Sequence, residues 1–286
     1  MPVEWQTTDS YVGPVGAEGA LAALAERRPD VRLSVSWLPV IGSTMDALSA
    51  RAEQGAPAGT VVGADRQTAG RGRRGHVWVS PPRAGLYLSY LLRPVGDVSL
   101  ITLAAGVGVM RTLTAIGVTT AELKWPNDVM VGSRKLAGVL TEGAHLGTTH
   151  ATVIVGVGLN LQRAAYPPDV AGRAVSLEDL GGASEGLAGG PLLAILLEAL
   201  HDVWHMLGSG QHDVLRREWS QWAPSATGSR VTWEEPSGPM EGLTQGIDAS
   251  GGLRVQTPQG AEQIVRGAVH WDSFHGGCRL SRGRDV

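Results

Sequence analysis

Gln67-Thr68-Ala69-Gly70-Arg71-Gly72-Arg73-Arg74-Gly75-His76-Val77-Trp78 is the stretch on which the fold and chemistry of this chain turn. Its glycines expose backbone N–H groups and its three arginines offer forked donors, a combination suited to a carboxylate or a phosphate. Like charges repel when no anion is present, so such a loop is expected to order when its ligand arrives. No apolar periodicity runs through it, which predicts a mobile loop between a strand over 60–64 and a strand over 85–92. A Gly-Arg run also occurs in RNA-contacting tracts, but this one is a single copy set between two strands. It is no Walker loop either, since no Gly-Lys-Ser/Thr ending follows.

Working outward, the next unusual stretch is Lys124-Trp125-Pro126-Asn127-Asp128, followed by Arg134-Lys135-Leu136-Ala137-Gly138-Val139-Leu140-Thr141-Glu142. Of the 24 basic residues only Lys124 and Lys135 are lysines. A chain so biased to Arg is expected to keep Lys where a compact point charge is needed. Pro126 fixes a turn that holds the Asn127 amide and the Asp128 carboxylate at a corner. Strand alternation puts Lys135, Ala137 and Val139 on one face, and Gly138 lets a ligand approach the backbone closely. Taken alone, the same residues also make a plain hairpin with a charged edge. Val153 to Leu161 reads as a buried strand interrupted by Gly156 and Gly158, where an aromatic ring system could lie against the backbone.

Around these stretches the periodicities predict a short helix over 19–28, a strand over 31–40 and a helix from Ser43 to Gly55, with Ser43 and Asp46 as an approximate capping box. A long helix spans 99–116 and closes at Gly117. A hairpin pairs 128–131 with 135–141, a strand covers 152–159, and helices follow over 192–207 and 214–222. The Gly-rich run 181–190 is a connection rather than a site. After Pro224 short strands at close spacing predict a small all-β barrel, with a domain boundary near 225. Roughly thirty residues precede the first called-for strand, too few for a three-helix DNA-binding module.

With 286 residues, 43% of them hydrophobic, the chain can bury a full core. The first ten residues are acidic and polar where a secretory leader would be basic and then apolar, so a cytoplasmic protein is expected. The single cysteine, Cys278, excludes an internal disulfide. A net charge of -3 argues against bulk nucleic-acid binding and makes any anion site a local one. His201 and His205, four apart on a helix, lack a Glu after the first and are expected to be a solvated face rather than a metal site.

The order Ser43-Thr44, then Gln67 with Gly70 to Gly75 and Trp78, then Lys124 to Asp128, then Lys135 to Glu142, then Gly156-Val157-Gly158-Leu159-Asn160 resembles biotin protein ligase. The match runs over about residues 35–165, and linked motifs in order are far more specific than any one of them. The resemblance implies an α+β fold, with a mixed β-sheet and flanking helices in a catalytic domain like that of class II aminoacyl-tRNA synthetases over residues 1-224. It also implies a small SH3-like β-barrel over 225-286. The implied reaction joins biotin and ATP as biotinyl-5'-AMP with Mg2+, then transfers biotin to a lysine of a biotin carboxyl carrier domain in a biotin-dependent carboxylase.

By resemblance, Lys135, Arg73 and Asp128 are the catalytic residues. Biotin would be held by Ser43, Thr44, Met45, Gln67, Gly70, Arg71, Gly72, Arg73, Lys135, Gly138, Leu140 and Gly156. ATP or its adenylate would be held by Arg73, Arg74, His76, Trp78, Lys124, Asn127, Lys135 and Asn160. Asp128 could accept the proton of the acceptor lysine, bind Mg2+ or cap its turn. Two departures stand out: His76 where another Arg is common, and Met45 where Asn is common, which leaves that position its backbone as a contact. The rival of the same fold is a lipoate-type ligase or octanoyl transferase. The first lacks so full a Gly-Arg loop, and the second needs a cysteine in the catalytic domain. A rival of another class is a non-catalytic RNA-binding module using the loop.

Overall fold

The computed structural model describes residues 3–7, 13–94, 97–181 and 189–272. Cys278 lies outside them, as does most of the Gly-rich run over 181–190. An eight-stranded mixed sheet forms the body, in the order β1-β2-β3-β4-β8-β7-β6-β5. Its strands are β1 (Val3–Thr7), β2 (Leu33–Ile41), β3 (Thr60–Gln67), β4 (Gly85–Leu92), β5 (Ala121–Lys124), β6 (Asp128–Val131), β7 (Arg134–Ala144) and β8 (Thr152–Asn160). The first two pairings are parallel and the rest antiparallel.

Strand alternation divides the two faces of this sheet. Leu86, Leu88, Tyr90, Ala137, Val139, Val153, Val155 and Val157 enter the main core with α3 (Ile101–Ala115) and α5 (Gly189–Gly208). Helix α3 is buried on nearly every side, as its mostly apolar sequence demands, and ends at Gly117 in a left-handed turn (φ 81°). The other face carries Val62, Leu91 and Ile154 against Met45 and Leu48 of α2 (Thr44–Glu53). Two long helices thus cover one face, and the short α2 covers part of the other. Helices α1 (Ala17–Arg27), α4 (Leu177–Leu180) and α6 (His212–Trp222) complete the body. The Ser176–Asp179 capping box fixes the start of α4, a feature missed in the sequence.

The C-terminal strands β9 (Thr227–Glu235), β10 (Gly238–Ile247), β11 (Leu253–Gln256), β12 (Glu262–Val265) and β13 (His270–Trp271) form one antiparallel sheet in the order β12-β11-β10-β9-β13. Its end strands do not pair among the described residues, so the expected barrel is present as an open sheet. The β10–β11 turn sits on α3, where a Cβ added to Gly251 would meet Leu103 at 2.8 Å, and Trp125 Nε1 donates to Gly251 O at 2.9 Å. Among the described residues no helix is long and apolar enough to cross a membrane.

Candidate functional site

Three glycines on the open face make the floor. Gly138 pairs directly with Gly158, and Leu140 with Gly156, on neighbouring strands β7 and β8. A Cβ at Gly158 would stand 2.4 Å from the Trp78 indole, one at Gly138 3.0 Å from the same ring, and one at Gly156 2.7 Å from Met45 Sδ. The glycines are therefore needed for close approach rather than for backbone freedom. A cleft opens over them, lined by Thr44, Met45, Gln67, Arg71 to Arg73, Trp78, Asn127, Lys135 and Leu140. The Trp78 Nε1–H is buried with no partner among the described residues.

A β-bulge decides where Lys135 points. Val129 pairs with Ala137 but Met130 pairs with Lys135, so Leu136 is the extra residue. Below the bulge the alternation inverts: Leu136 enters the core at 0% exposure, while Lys135 Nζ comes within 2.9 Å of where a Gly138 Cβ would be. The expectation that Lys135 shares a face with Ala137 and Val139 is corrected, because those two are core residues. Lys135 Nζ is 2.6 Å from Asp128 Oδ1 and 5.3 Å from the Trp78 ring centroid. Its backbone is bound to Arg173 O at 2.8 Å and to Val175 N at 3.0 Å. Asn160 Nδ2 adds bonds to Lys135 O at 3.3 Å and Val175 O at 3.0 Å, so its amide braces the bulge.

The Gly-Arg stretch is a closed hairpin and not the structureless loop its aperiodic sequence suggested. Backbone pairs Gln67–Ser80 and Arg71–Val77 form its ladder, with Trp78 N to Gly70 O at 2.9 Å and Gly72 N to His76 O at 2.7 Å. A ladder made of main-chain groups leaves no side-chain periodicity to read. Its tip holds Arg74 at φ 55°, a conformation that is costly for a residue with a Cβ. Gly70 is obligatory, since a Cβ there would meet Trp78 O at 2.3 Å.

The three loop arginines differ in their surroundings. Arg71 is paired with Asp46 Oδ1 at 2.8 Å and Glu142 Oε2 at 2.9 Å, strapping the hairpin to α2 and β7. Arg73 donates to Asn127 Oδ1 at 3.2 Å. Burial pushes the Arg73 pKa down, the neighbouring Arg74 charge adds to this, and Asp128 opposes it. A half-buried guanidinium weakened in this way is one that an anion would relieve. Arg74 and His76 are exposed.

Helix α2 is capped differently from the expectation. Ser43 makes no side-chain cap bond; Thr44 N instead donates to Gln67 Oε1 at 2.9 Å, and Asp46 is engaged by Arg71. Gln67 Oε1 also accepts from Thr44 Oγ1 at 3.1 Å, and Gln67 Nε2 donates to Ser80 Oγ at 2.9 Å. Ser89 completes the network at 2.8 Å from Thr44 Oγ1. Ser43 Oγ is buried without a partner among the described residues. Ser80 and Ser89 were not foreseen, and only a known register would have placed them opposite Gln67 and Gly156.

At the turn, Asn127 Nδ2 donates to Val139 O at 2.7 Å, so Asn127 closes the corner and the Asp128 carboxylate is given to Lys135. The turn-cap role considered for Asp128 is thereby filled by its neighbour. The Trp125–Pro126 peptide is cis. Lys124 lies 6.0 Å from the Trp271 ring of the C-terminal sheet. Burial lowers the Lys124 pKa, with Asp128 raising it and Lys135 lowering it further.

Comparisons with known proteins agree with this geometry. Residues 37–160 match the biotin/lipoate A/B protein ligase family, and residues 227–269 match the biotin protein ligase C-terminal domain. The bifunctional ligase/repressor BirA of Bacillus spizizenii is 31% identical over 232 residues, covering 79% of this chain and 70% of that one. The biotin–[acetyl-CoA-carboxylase] ligase of Paracoccus denitrificans is 30% identical over 224 residues, covering 75% of this chain and 89% of that one. Among solved structures, the biotin protein ligase of Aquifex aeolicus in complex with biotin and ATP superposes with a TM-score of 0.69 at 27% identity, covering 84% and 98% of the two chains.

Proposed function

The chain belongs to the biotin/lipoate A/B protein ligase family, and on that premise we propose how its residues carry the reaction of a biotin protein ligase. Biotin and ATP are joined as biotinyl-5'-AMP, and biotin then passes to a lysine of a biotin carboxyl carrier domain; the name of the Paracoccus relative supports a carboxylase as the acceptor. In the first step a biotin carboxylate oxygen bonds to the α-phosphorus while the bond to the bridging oxygen of pyrophosphate breaks. In the second, the acceptor amine attacks the mixed-anhydride carbonyl carbon, AMP leaves with the bonding pair, and the surplus amine proton goes to a base.

The observation that carries this reading is the convergence of Lys135 and half-buried Arg73 on one glycine-floored cleft. Two anions must meet there, and fixed cations in a partly dry site stabilise the pentavalent phosphorus far better than water does. Lys135 serves the carboxylate and phosphate at the junction, and Arg73, braced by Asn127, the phosphate. The bulge and Asn160 hold Lys135 in place. Ser43, Thr44 and Gln67 provide polar partners for the ureido ring, with backbone contacts at Met45, Gly70, Gly72, Gly138, Leu140 and Gly156. Trp78 offers its face to the adenine, while Arg71 closes the biotin end through its carboxylate straps. Asp128, freed as Lys135 turns to the ligand, is the base for the acceptor amine.

Magnesium finds no cage in these residues. Among the described residues no group of three His, Cys, Asp or Glu could hold a metal, so Mg2+ would be held chiefly by the phosphates of ATP. No step above is routed through the ion.

The test is biotin-dependent exchange of labelled pyrophosphate into ATP by the purified chain, followed by transfer to a carrier domain. Exchange driven by biotin, and not by lipoate or octanoate, is the expected result. Exchange driven equally by lipoate, or retention of RNA with no exchange at all, overturns the reading.

A further inference from the structure

Beside Lys135 the sheet changes partner. Strand β8 runs along β7 only to the Leu159–Ala137 pair, before Lys135 is reached, while its pairing with β4 continues to Asn160 and Gly85. Leu161 N and Gln162 N then both donate to Ala84 O at 2.9 Å, which draws the chain away from β7. The place it leaves is taken by residues 173–175, which return to lie parallel to β7 at Lys135.

The bulge at Leu136 disturbs the β6–β7 ladder at this same point. With β8 gone on the other side, the Lys135 main chain takes its hold from the returning segment. Lys135 N donates to Arg173 O at 2.8 Å, and Val175 N donates to Lys135 O at 3.0 Å. The direction of a side chain follows from the orientation of its own backbone, so the segment that fixes this backbone also aims the ammonium group.

The segment is clasped at its far end. Asp179, in the first turn of α4, accepts from Ser176 N at 2.9 Å, from Ser176 Oγ at 2.8 Å, from the Tyr166 hydroxyl and from Arg163 Nε at 2.7 Å. Tyr166 and Arg163 belong to the outgoing arm of the excursion and Ser176 to the returning one, so a single carboxylate closes both. Ser176 and Val175 have no exposure. Burial would raise the Asp179 pKa, but the bonds from Tyr166, Arg163 and Ser176 outweigh it and keep the carboxyl below its ordinary range. Neither Tyr166 nor Asp179 lines the reaction cleft.

We propose that Asp179 and Tyr166 are positioning residues for adenylate formation: by closing the excursion they seat residues 173–175 beside Lys135 and fix where its ammonium group stands in the cleft. The step they serve rests on the ligase reading above, whereas the placement of Lys135 is measurable without any substrate.

Because Lys124 and Lys135 are the chain's only lysines, lysine isotope-labelled at Cε gives two signals from the full chain, and Lys124→Arg assigns them. The Trp78 ring, 5.3 Å from Lys135 Nζ, displaces the Lys135 signal by its ring current. In Asp179→Ala that signal should move toward the position of a free lysine while the Lys124 signal keeps its place. Tyr166→Phe, which loses one hydroxyl, should move it the same way by less. In biotin-dependent ATP–pyrophosphate exchange, Asp179→Ala should lower kcat by about tenfold to a hundredfold, as for a reacting group misplaced by about 1 Å, with the KM for biotin little changed. Asp179→Asn, which can still accept from Ser176 and Tyr166, should recover part of that kcat. If Asp179→Ala does not fold, Tyr166→Phe decides by the same two readouts. Two lysine signals that stay, or that move alike, overturn the proposal, as does a kcat loss matched by an equal rise in biotin KM, the mark of general loosening. A wild-type chain without biotin-dependent exchange sinks the ligase reading itself, and with it the step assigned here, even where the Lys135 signal moves.

Discussion

Replacing Gly158 by Ala tests the floor of the site with a single methyl group. The new Cβ would lie 2.4 Å from the Trp78 ring and 2.6 Å from its Nε1, whereas ordinary contacts of this kind begin at 3.4 Å. The indole must therefore retreat by about 1 Å, or the strand must bend away from it. Overpacking of this size typically costs about 1–3 kcal/mol. Because Trp78 is only half-buried at the base of a hairpin, the ring should give way first, so the larger effect is expected on ligand binding. A misplaced stacking face and a disturbed Lys135 should raise the KM for ATP by about tenfold, equivalent to about 1.4 kcal/mol. The assay is a double-mutant cycle of Gly158→Ala, Trp78→Ala and the pair, read by urea unfolding and by ATP–pyrophosphate exchange. If the indole is the atom group in the way, the Gly158→Ala penalty disappears in the Trp78→Ala background, giving a coupling of about 1–3 kcal/mol. A penalty that persists without Trp78, or a Gly158→Ala variant with wild-type stability and KM, refutes the geometry.

Lys135→Ala should abolish adenylate formation, whereas Asp128→Ala should slow transfer from preformed adenylate more than it slows adenylation; normal adenylate synthesis without Lys135 would remove that residue from the mechanism. Gln67→Ala breaks the bonds to Thr44 N, Thr44 Oγ1 and Ser80 Oγ, and should cost about 1–2 kcal/mol of stability together with a higher KM for biotin, checked by thermal unfolding and initial rates. Burial depresses the folded-state pKa of Lys124 below the ordinary 10.5, so ATP affinity should fall as pH rises through that lowered value. Over the same window the unfolded chain binds more protons than the folded one, so the Lys124 contribution to stability rises with pH. Arg in place of Lys124 should flatten the ATP profile, and an unchanged alkaline profile in Lys124→Arg would argue against the assignment.

The architecture was legible where its signal lies in side-chain alternation. Val153 to Leu159 read as a buried strand, the 128–131 and 135–141 stretches as a hairpin, and the apolar run over 99–116 as a long helix, and each is present. The hairpin over 67–80 was not legible, because main-chain groups and glycines build it. Lys135 was identified by its rarity and its motif, but its direction depends on one extra residue, Leu136, that a period-two pattern cannot reveal. Ser43 and Asp46 looked like a capping pair because their spacing is right. Long-range partners took over instead, Gln67 for the helix end and Arg71 for the acid.

The hydrogen bond from Trp125 to the Gly251 carbonyl has a consequence for how this chain could be recombined. Trp125 precedes the corner that carries Asn127 and Asp128, while Gly251 lies within residues 227–269, the stretch that matches the C-terminal domain. A chimera cut between the two stretches would inherit this corner from one parent and its acceptor carbonyl from the other. Exchange of C-terminal sheets should succeed only between parents that keep this tryptophan and a turn short enough to lie flat on α3.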